Sequence, residues 1–409
     1  MNTFNENPSC LLAADGRPDS AAAQTGVDRL RRAACALGVA GAVLGPRAWA
    51  APYAGVGPDE IVLGQILAVT GPLAAIIPDI INATQAWFDH VNRQGGIHGR
   101  KVRVVTADDG YVAANSPKAA RELIDKEQVF AILNMSGTAN VAAILPLLAK
   151  EDPPVPFFGP ITGAQVLREP LMRNVFHLRA SYADEAEKLV QHLHTVNLRK
   201  ISALYLDNGF GKDGLEGVQK AMAARGSQLQ AAVPVRQDAA DVDEAVERLV
   251  GTDQNVIVMV TTGRATVDFI KKFNQRRKGV QFYTLSVMGA QATIQALGPD
   301  GVGVVVASVV PFPWNQALPV ANEYRAAMKR AGHANLSFMG FEAFLNAKAV
   351  TEGLQRAGRD LTRQRCVSAL EGMQRIDLGG FEFGFSPKSH EGSRFVELTI
   401  IGSNGRFMK

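Results

Sequence analysis

The pattern in this sequence most suggestive of chemistry is Gly209-Phe210-Gly211-Lys212-Asp213-Gly214. It reads G-x-G-x-x-G after a strand and before a helix, with Asp238 downstream about where a ribose-binding acid would stand. Such a loop could mark an NAD-dependent dehydrogenase. Against that reading, Asp207-Asn208 separates the strand from the glycines and displaces the tight turn that a pyrophosphate requires. The sequence contains no G-x-S-x-G, no H-E-x-x-H and no cysteine pair. Asp108-Asp109 resembles a pair of carboxylates, but neighbours on a strand point to opposite faces, so we read them as loop caps. His90 and His98 flank a helix end and read as solvent-facing rather than as metal ligands. These residues predict no enzyme, no cofactor and no metal.

The elements around these residues alternate. Glu60 to Ala68 is a short apolar run rich in β-branched residues that ends at Thr70-Gly71-Pro72. Ile80, Thr84, Trp87, Phe88 and Val91 then recur at helical spacing up to Gly95-Gly96. Strands follow at Lys101 to Thr106, Val129 to Leu133 and Val155 to Phe158, with helices at Pro117 to Glu127 and Val141 to Lys150. A second set opens with the capping box Ser181/Asp184. Its strands are expected at Ile201 to Leu206, Gln230 to Val235, Val256 to Val260, Gln281 to Thr284 and Val302 to Val310. Three helices (321–331, 339–357 and 362–373) and a last strand at Arg394 to Ile401 complete the chain. Alternating strands and helices specify parallel sheets covered on both faces. Two such sets predict an α/β fold of two lobes with a cleft between them, at the carboxyl ends of the strands.

The first fifty residues differ from the rest. Arg29, Arg31 and Arg32 precede a weakly apolar run, Ala33 to Leu44, and then Ala48-Trp49-Ala50. This is the pattern of a secretory signal peptide over residues 1–50, with cleavage after Ala50 and a periplasmic destination. Val27 is a candidate true start, and Arg31-Arg32 leaves twin-arginine export open beside the general route. Cys10 and Cys35 lie in this segment, so Cys366 alone stays in the mature chain and no internal disulfide forms. Removing five basic and four acidic residues takes the net charge from +4 to +3. Without basic clusters interleaved with aromatics, that excess is no nucleic-acid footprint.

Several stretches taken together, in order and spacing, resemble the periplasmic leucine/isoleucine/valine-binding protein family of ABC importers. They are Thr70-Gly71-Pro72, then Asn92-Arg93-Gln94-Gly95-Gly96-Ile97-His98-Gly99-Arg100 leading to Asp108-Asp109, then Ser136-Gly137-Thr138. Gly159-Pro160-Ile161-Thr162-Gly163-Ala164 and Asp207-Asn208-Gly209-Phe210-Gly211-Lys212-Asp213 follow. The resemblance runs over about residues 58–401. It implies two Rossmann-like lobes joined by three hinge crossovers, near Arg179, Val310 and Phe395. Lobe one would be 58–179 plus 311–395, and lobe two 180–310 plus 396–409. It further implies a monomer that closes on a small-molecule ligand and hands it to the membrane permease subunits of an ABC importer.

In that family two loops of lobe one hold a ligand carboxylate, and the matching positions here are Ser136, Gly137 and Thr138, and Ile161, Thr162 and Gly163. Helix N-termini expose unpaired N–H donors, which suits this role; each loop alone would also read as a plain helix cap. Phe210 matches the family's ring in lobe two, commonly a tyrosine. Where the family meets the ligand's ammonium with a carboxylate, alignment by length places Ser286, and no Asp or Glu occurs between Val280 and Pro299. A second contact falls at Thr262. Ile76 replaces a frequent aromatic in the first loop, and Tyr111 is a candidate for the missing ring. An ammonium buried without a counter-charge is costly, so the resemblance with these departures implies a small carboxylate or amino-acid-like ligand, with an amine-free or aromatic one preferred. A soluble sensor that presents its ligand to a membrane kinase is the alternative on the same fold.

Overall fold

The computed structural model describes residues 54–409, so the expected signal peptide and its cleavage after Ala50 lie outside the described residues. The first sheet is built from β1 (Glu60–Leu67), β2 (Lys101–Asp108), β3 (Ala131–Ser136), β4 (Phe157–Ile161) and β5 (Val175–Phe176), in the order β2-β1-β3-β4-β5. Its pairings are parallel, with β1 and β2 in register from Glu60↔Lys101 to Leu67↔Asp108. β3 and β4 are buried along their whole length, as continuous apolar strands between two helical layers must be.

The second sheet comprises β6 (Ile201–Leu206), β7 (Ala232–Val235), β8 (Val256–Val260), β9 (Gln281–Thr284) and β10 (Val305–Ser308), with β13 (Glu397–Ile401) and β14 (Phe407–Met408) at its edge. Its parallel part, β7-β6-β8-β9-β10, repeats the order of the first sheet, and β13 joins β10 antiparallel. In both sheets the order reverses beside the first strand, and this reversal opens a crevice at the carboxyl ends.

Helices cover the sheets as the periodicity requires. α1 (Ile77–Arg93), α2 (Ser116–Arg121) and α3 (Thr138–Lys150) belong to the first set. α4 (Tyr182–Thr195), α5 (Gly209–Ala223), α6 (Val242–Val250), α7 (Gly263–Arg276) and α8 (Gln291–Leu297) belong to the second. The helix expected over 117–127 ends as α at Arg121 and continues as one wide turn, Glu122–Lys126.

After β10 the chain returns to the first sheet through α9 (Pro319–Arg330), α10 (Phe338–Ala357) and α11 (Arg363–Glu371). A short ribbon of β11 (Ile376–Asp377) and β12 (Glu382–Phe383) follows. α10 is buried around most of its circumference and packs on α1, where Trp87 Nε1 donates to Thr351 Oγ1 at 2.9 Å. Its Asn346 donates to Asn134 Oδ1 at 2.8 Å and to the Gly159 carbonyl at 3.3 Å. A Cβ on Gly159 would overlap that amide, which is why glycine stands there with φ +66°. The chain therefore passes between the two sheets three times: after β5, after β10 and before β13.

Candidate ligand-binding site

The loops at the carboxyl ends of both sheets line a small, partly open pocket. The first sheet contributes Leu73 and Ile76 before α1, Tyr111 after β2, Ser136, Gly137 and Thr138 between β3 and α3, and Ile161 at the end of β4. The second contributes Phe210, Thr262 and Val287, with Tyr182 from the start of α4 and Met339 from the start of α10. Among these described residues none is charged.

The geometry of the β3–α3 turn follows from one glycine. Gly137 takes φ +95°, and a Cβ there would lie 2.6 Å from Asn140 Oδ1 and 2.7 Å from Tyr111 Cε2. The Tyr111 ring therefore lies against the start of α3. No side chain caps that helix, and Gly137 and Thr138 at its positive dipole end line the pocket. Ser136 Oγ is buried and has no hydrogen-bond partner. Burial, with smaller contributions from Tyr182 and Asp109, pushes the Tyr111 phenol well above its ordinary value, so it stays protonated at neutral pH.

Phe210 is buried and packs edge-on against Tyr182 at 5.1 Å between ring centroids. Its surrounding glycines are part of a helix. Asn208 Oδ1 accepts from the Gly211 N–H at 3.0 Å and caps α5. A Cβ on Gly211 would collide with the Leu206 carbonyl, and one on Gly214 with Val260. The G-x-G-x-x-G pattern thus lets α5 press onto β6 and β8, rather than forming a turn that cradles a pyrophosphate. Asp108 caps Thr70 and Gly110, while Asp109 accepts from Ser116, Asn140 and the Tyr111 N–H. Both carboxylates hold loops, as read from the sequence.

Three expected contacts are not at the cavity wall. Thr162 is fully buried, bonded Oγ1 to Oγ1 with Thr138 at 2.8 Å and joined to the Tyr182 hydroxyl. It braces the two loops. Gly163 accepts the Tyr182 N–H at 2.8 Å, and a Cβ there would lie 2.6 Å from that nitrogen. The turn is too close to α4 to open inward. Ser286 donates to Glu185 Oε1 at 2.9 Å and accepts from Arg179, so its hydroxyl points away from the cavity and its neighbour Val287 lines it.

Behind Tyr182, Arg179 donates to Glu185 at 2.9 Å and to Glu342 at 3.3 Å, all three being buried. Burial opposes the charge on Arg179, but Glu342 and Glu185 more than offset it and hold the guanidinium protonated. Burial raises the Glu342 carboxyl, against the pull of Arg179. The sequence reasoning missed Leu73, Tyr182, Val287 and Met339 as wall residues. Val287 lies one residue beyond the expected Ser286 and Tyr182 lies within the capping box, but nothing in the local pattern of Met339 marks it.

The sequence model of the family described as periplasmic binding protein matches residues 60–406. The chain belongs to that family. This periplasmic binding protein is similar to Leu/Ile/Val-binding protein homolog 7 of Brucella suis biovar 1, at 22% identity over 384 residues, 86% of this chain and 91% of the relative. It is also similar in structure to a substrate-binding periplasmic protein from Ralstonia solanacearum, with a TM-score of 0.80 and 29% identity, covering 85% of this chain and 99% of that one. A possible leucine/isoleucine/valine-binding protein from Rhodopirellula baltica gives a TM-score of 0.81 at 25% identity, over 88% and 98%. The fold is that of a type I periplasmic binding protein of the leucine/isoleucine/valine-binding family, whose members bind solutes and are not enzymes.

Proposed function

We propose that this periplasmic binding protein serves an ABC importer and closes two lobes around a small carboxylate that lacks an α-amine. The lobes are 58–179 with 311–395, and 180–310 with 396–409. The observation that carries the ligand class is the make-up of the pocket wall. The uncapped start of α3 and the unpartnered Ser136 hydroxyl offer donors to an anion. Phe210, Val287 and Met339 also line the pocket, and no described wall residue is a carboxylate. An ammonium placed there would lose its hydration without a counter-charge. The remaining wall, Leu73, Ile76, Ile161 and the rings of Tyr111 and Tyr182, suits an aliphatic or aromatic body.

Calorimetry on the purified protein tests this with leucine and phenylalanine against their amine-free acids, isocaproate and phenylpropionate. At least one amine-free acid should bind at least about tenfold more tightly than its amino acid, since losing a charged hydrogen-bond partner costs about 1.5–3 kcal/mol. Tight leucine binding without response to either acid would overturn the ligand class.

A further inference from the structure

Asp213 stands in the first turns of α5, on the second sheet, yet its partners belong to the first. Its Oδ1 accepts from the Gln165 N–H at 2.8 Å and Oδ2 lies 3.3 Å from the same nitrogen. The Val166 N–H also bonds this carboxylate. Gln165 and Val166 open the short helical turn Gln165–Leu167 that follows β4. No side chain within that turn caps it, so the cap is supplied across the cleft. The same edge of α5 approaches the first sheet's loops elsewhere: a Cβ on Gly209 would lie 3.7 Å from Thr138 Cγ2.

We infer that Asp213 is a latch residue, whose carboxylate caps the Gln165–Leu167 turn only when the cleft is shut and so sets how long a bound solute is held. The inference rests on the closing motion proposed above. When the lobes part, the carboxylate and both amides are left to water. When they meet, hydrogen bonds from the Gln165 and Val166 amides hold the carboxylate against a burial that raises its pKa. That gain exists in the closed state alone, so it acts on the rate of opening and not on the first encounter with solute. Asp213 touches no wall of the cavity, so it is a positioning residue: it alters affinity without altering which solute is preferred. Nearby Lys212 is occupied otherwise, paired with Asp207 at 2.9 Å.

The test compares wild type, Asp213→Ala, Asp213→Asn and Asp213→Glu in the intact protein. Isocaproate and phenylpropionate serve as solutes, read by stopped-flow binding, amide hydrogen exchange and small-angle scattering. The alanine variant should release bound acid about tenfold or more faster with an unchanged association rate, as expected for losing bonds to a charged group. The Gln165 and Val166 amides should lose exchange protection while the rest of the first lobe keeps it. Asparagine should fall between alanine and wild type, and glutamate should restore part of the retention. Every variant should keep the wild-type ranking of the two acids. Unchanged dissociation in Asp213→Ala, or unchanged protection of the two amides in both ligand-free and acid-treated protein, overturns the latch. Failure of every acid to bind a wild type whose two amides still lose protection on Asp213→Ala overturns the ligand class and leaves the latch standing.

Discussion

Ser286 and Glu185, 101 residues apart, are joined twice: the serine N–H donates to Oε2 at 2.7 Å and its hydroxyl to Oε1 at 2.9 Å. The carboxylate is thus committed to the loop behind the cavity rather than to the cavity itself, and Arg179 closes the arrangement on its other side. A glutamate at position 286 would enter a buried site that already holds two carboxylates and one guanidinium. Ser286→Glu should therefore lower stability instead of restoring a preference for amino acids. A fall of several degrees in melting temperature, with no gain in leucine affinity by calorimetry, is the expected result.

Ser136 offers the cleanest test of the anion end. Its hydroxyl bonds nothing in the protein, so removing it leaves no partner stranded. Ser136→Ala should leave the melting temperature of ligand-free protein unchanged. It should weaken binding of an amine-free acid roughly ten- to hundredfold, the range for a hydrogen bond to a charged group. Equal affinity in wild type and variant would place the carboxylate elsewhere in the cavity.

The buried charges behind Tyr182 respond unequally to substitution. Arg179→Met strands Glu185 and Glu342 without a cation and should cost about 3–5 kcal/mol in urea unfolding. Glu342→Gln removes the surplus carboxylate and should cost far less. The sign of the pH effect follows from the raised Glu342 pKa. A proton held more tightly in the folded than in the unfolded state stabilises the fold at low pH, and that contribution fades as pH rises through the raised pKa. Wild type should therefore lose more stability than Glu342→Gln when pH rises above the ordinary carboxylate range. Parallel urea midpoints across that range in the two proteins would contradict the assignment.

Export is tested by chemistry rather than geometry. Arg29, Arg31 and Arg32, the apolar run and Ala48-Trp49-Ala50 predict removal of residues 1–50. Mass spectrometry of periplasmic protein should find Ala51 at the amino terminus, within a residue or two. An intact Met1 there would refute cleavage.

Much of this protein follows from local pattern. Short apolar runs alternating with helical stripes require parallel sheets, because strands buried on both faces need helices on both sides. The capping box at Ser181 and Asp184 is written within four residues and forms as read. The loop at Ser136-Gly137-Thr138 was marked by the family resemblance, and the structure builds it from a strand end, a glycine at φ +95° and a helix start. What sequence order cannot set is which atoms meet between distant segments. Thr162 turns to Thr138 and Tyr182, Ser286 turns to Glu185, and Met339 reaches the cavity from a helix that follows β10. Each of those choices depends on how two sheets and their crossovers pack, since a hydroxyl bonds whichever buried acceptor or donor the fold brings within about 3 Å. The family resemblance thus marked the loops around the pocket, while packing decided which side chains brace its wall and which line it.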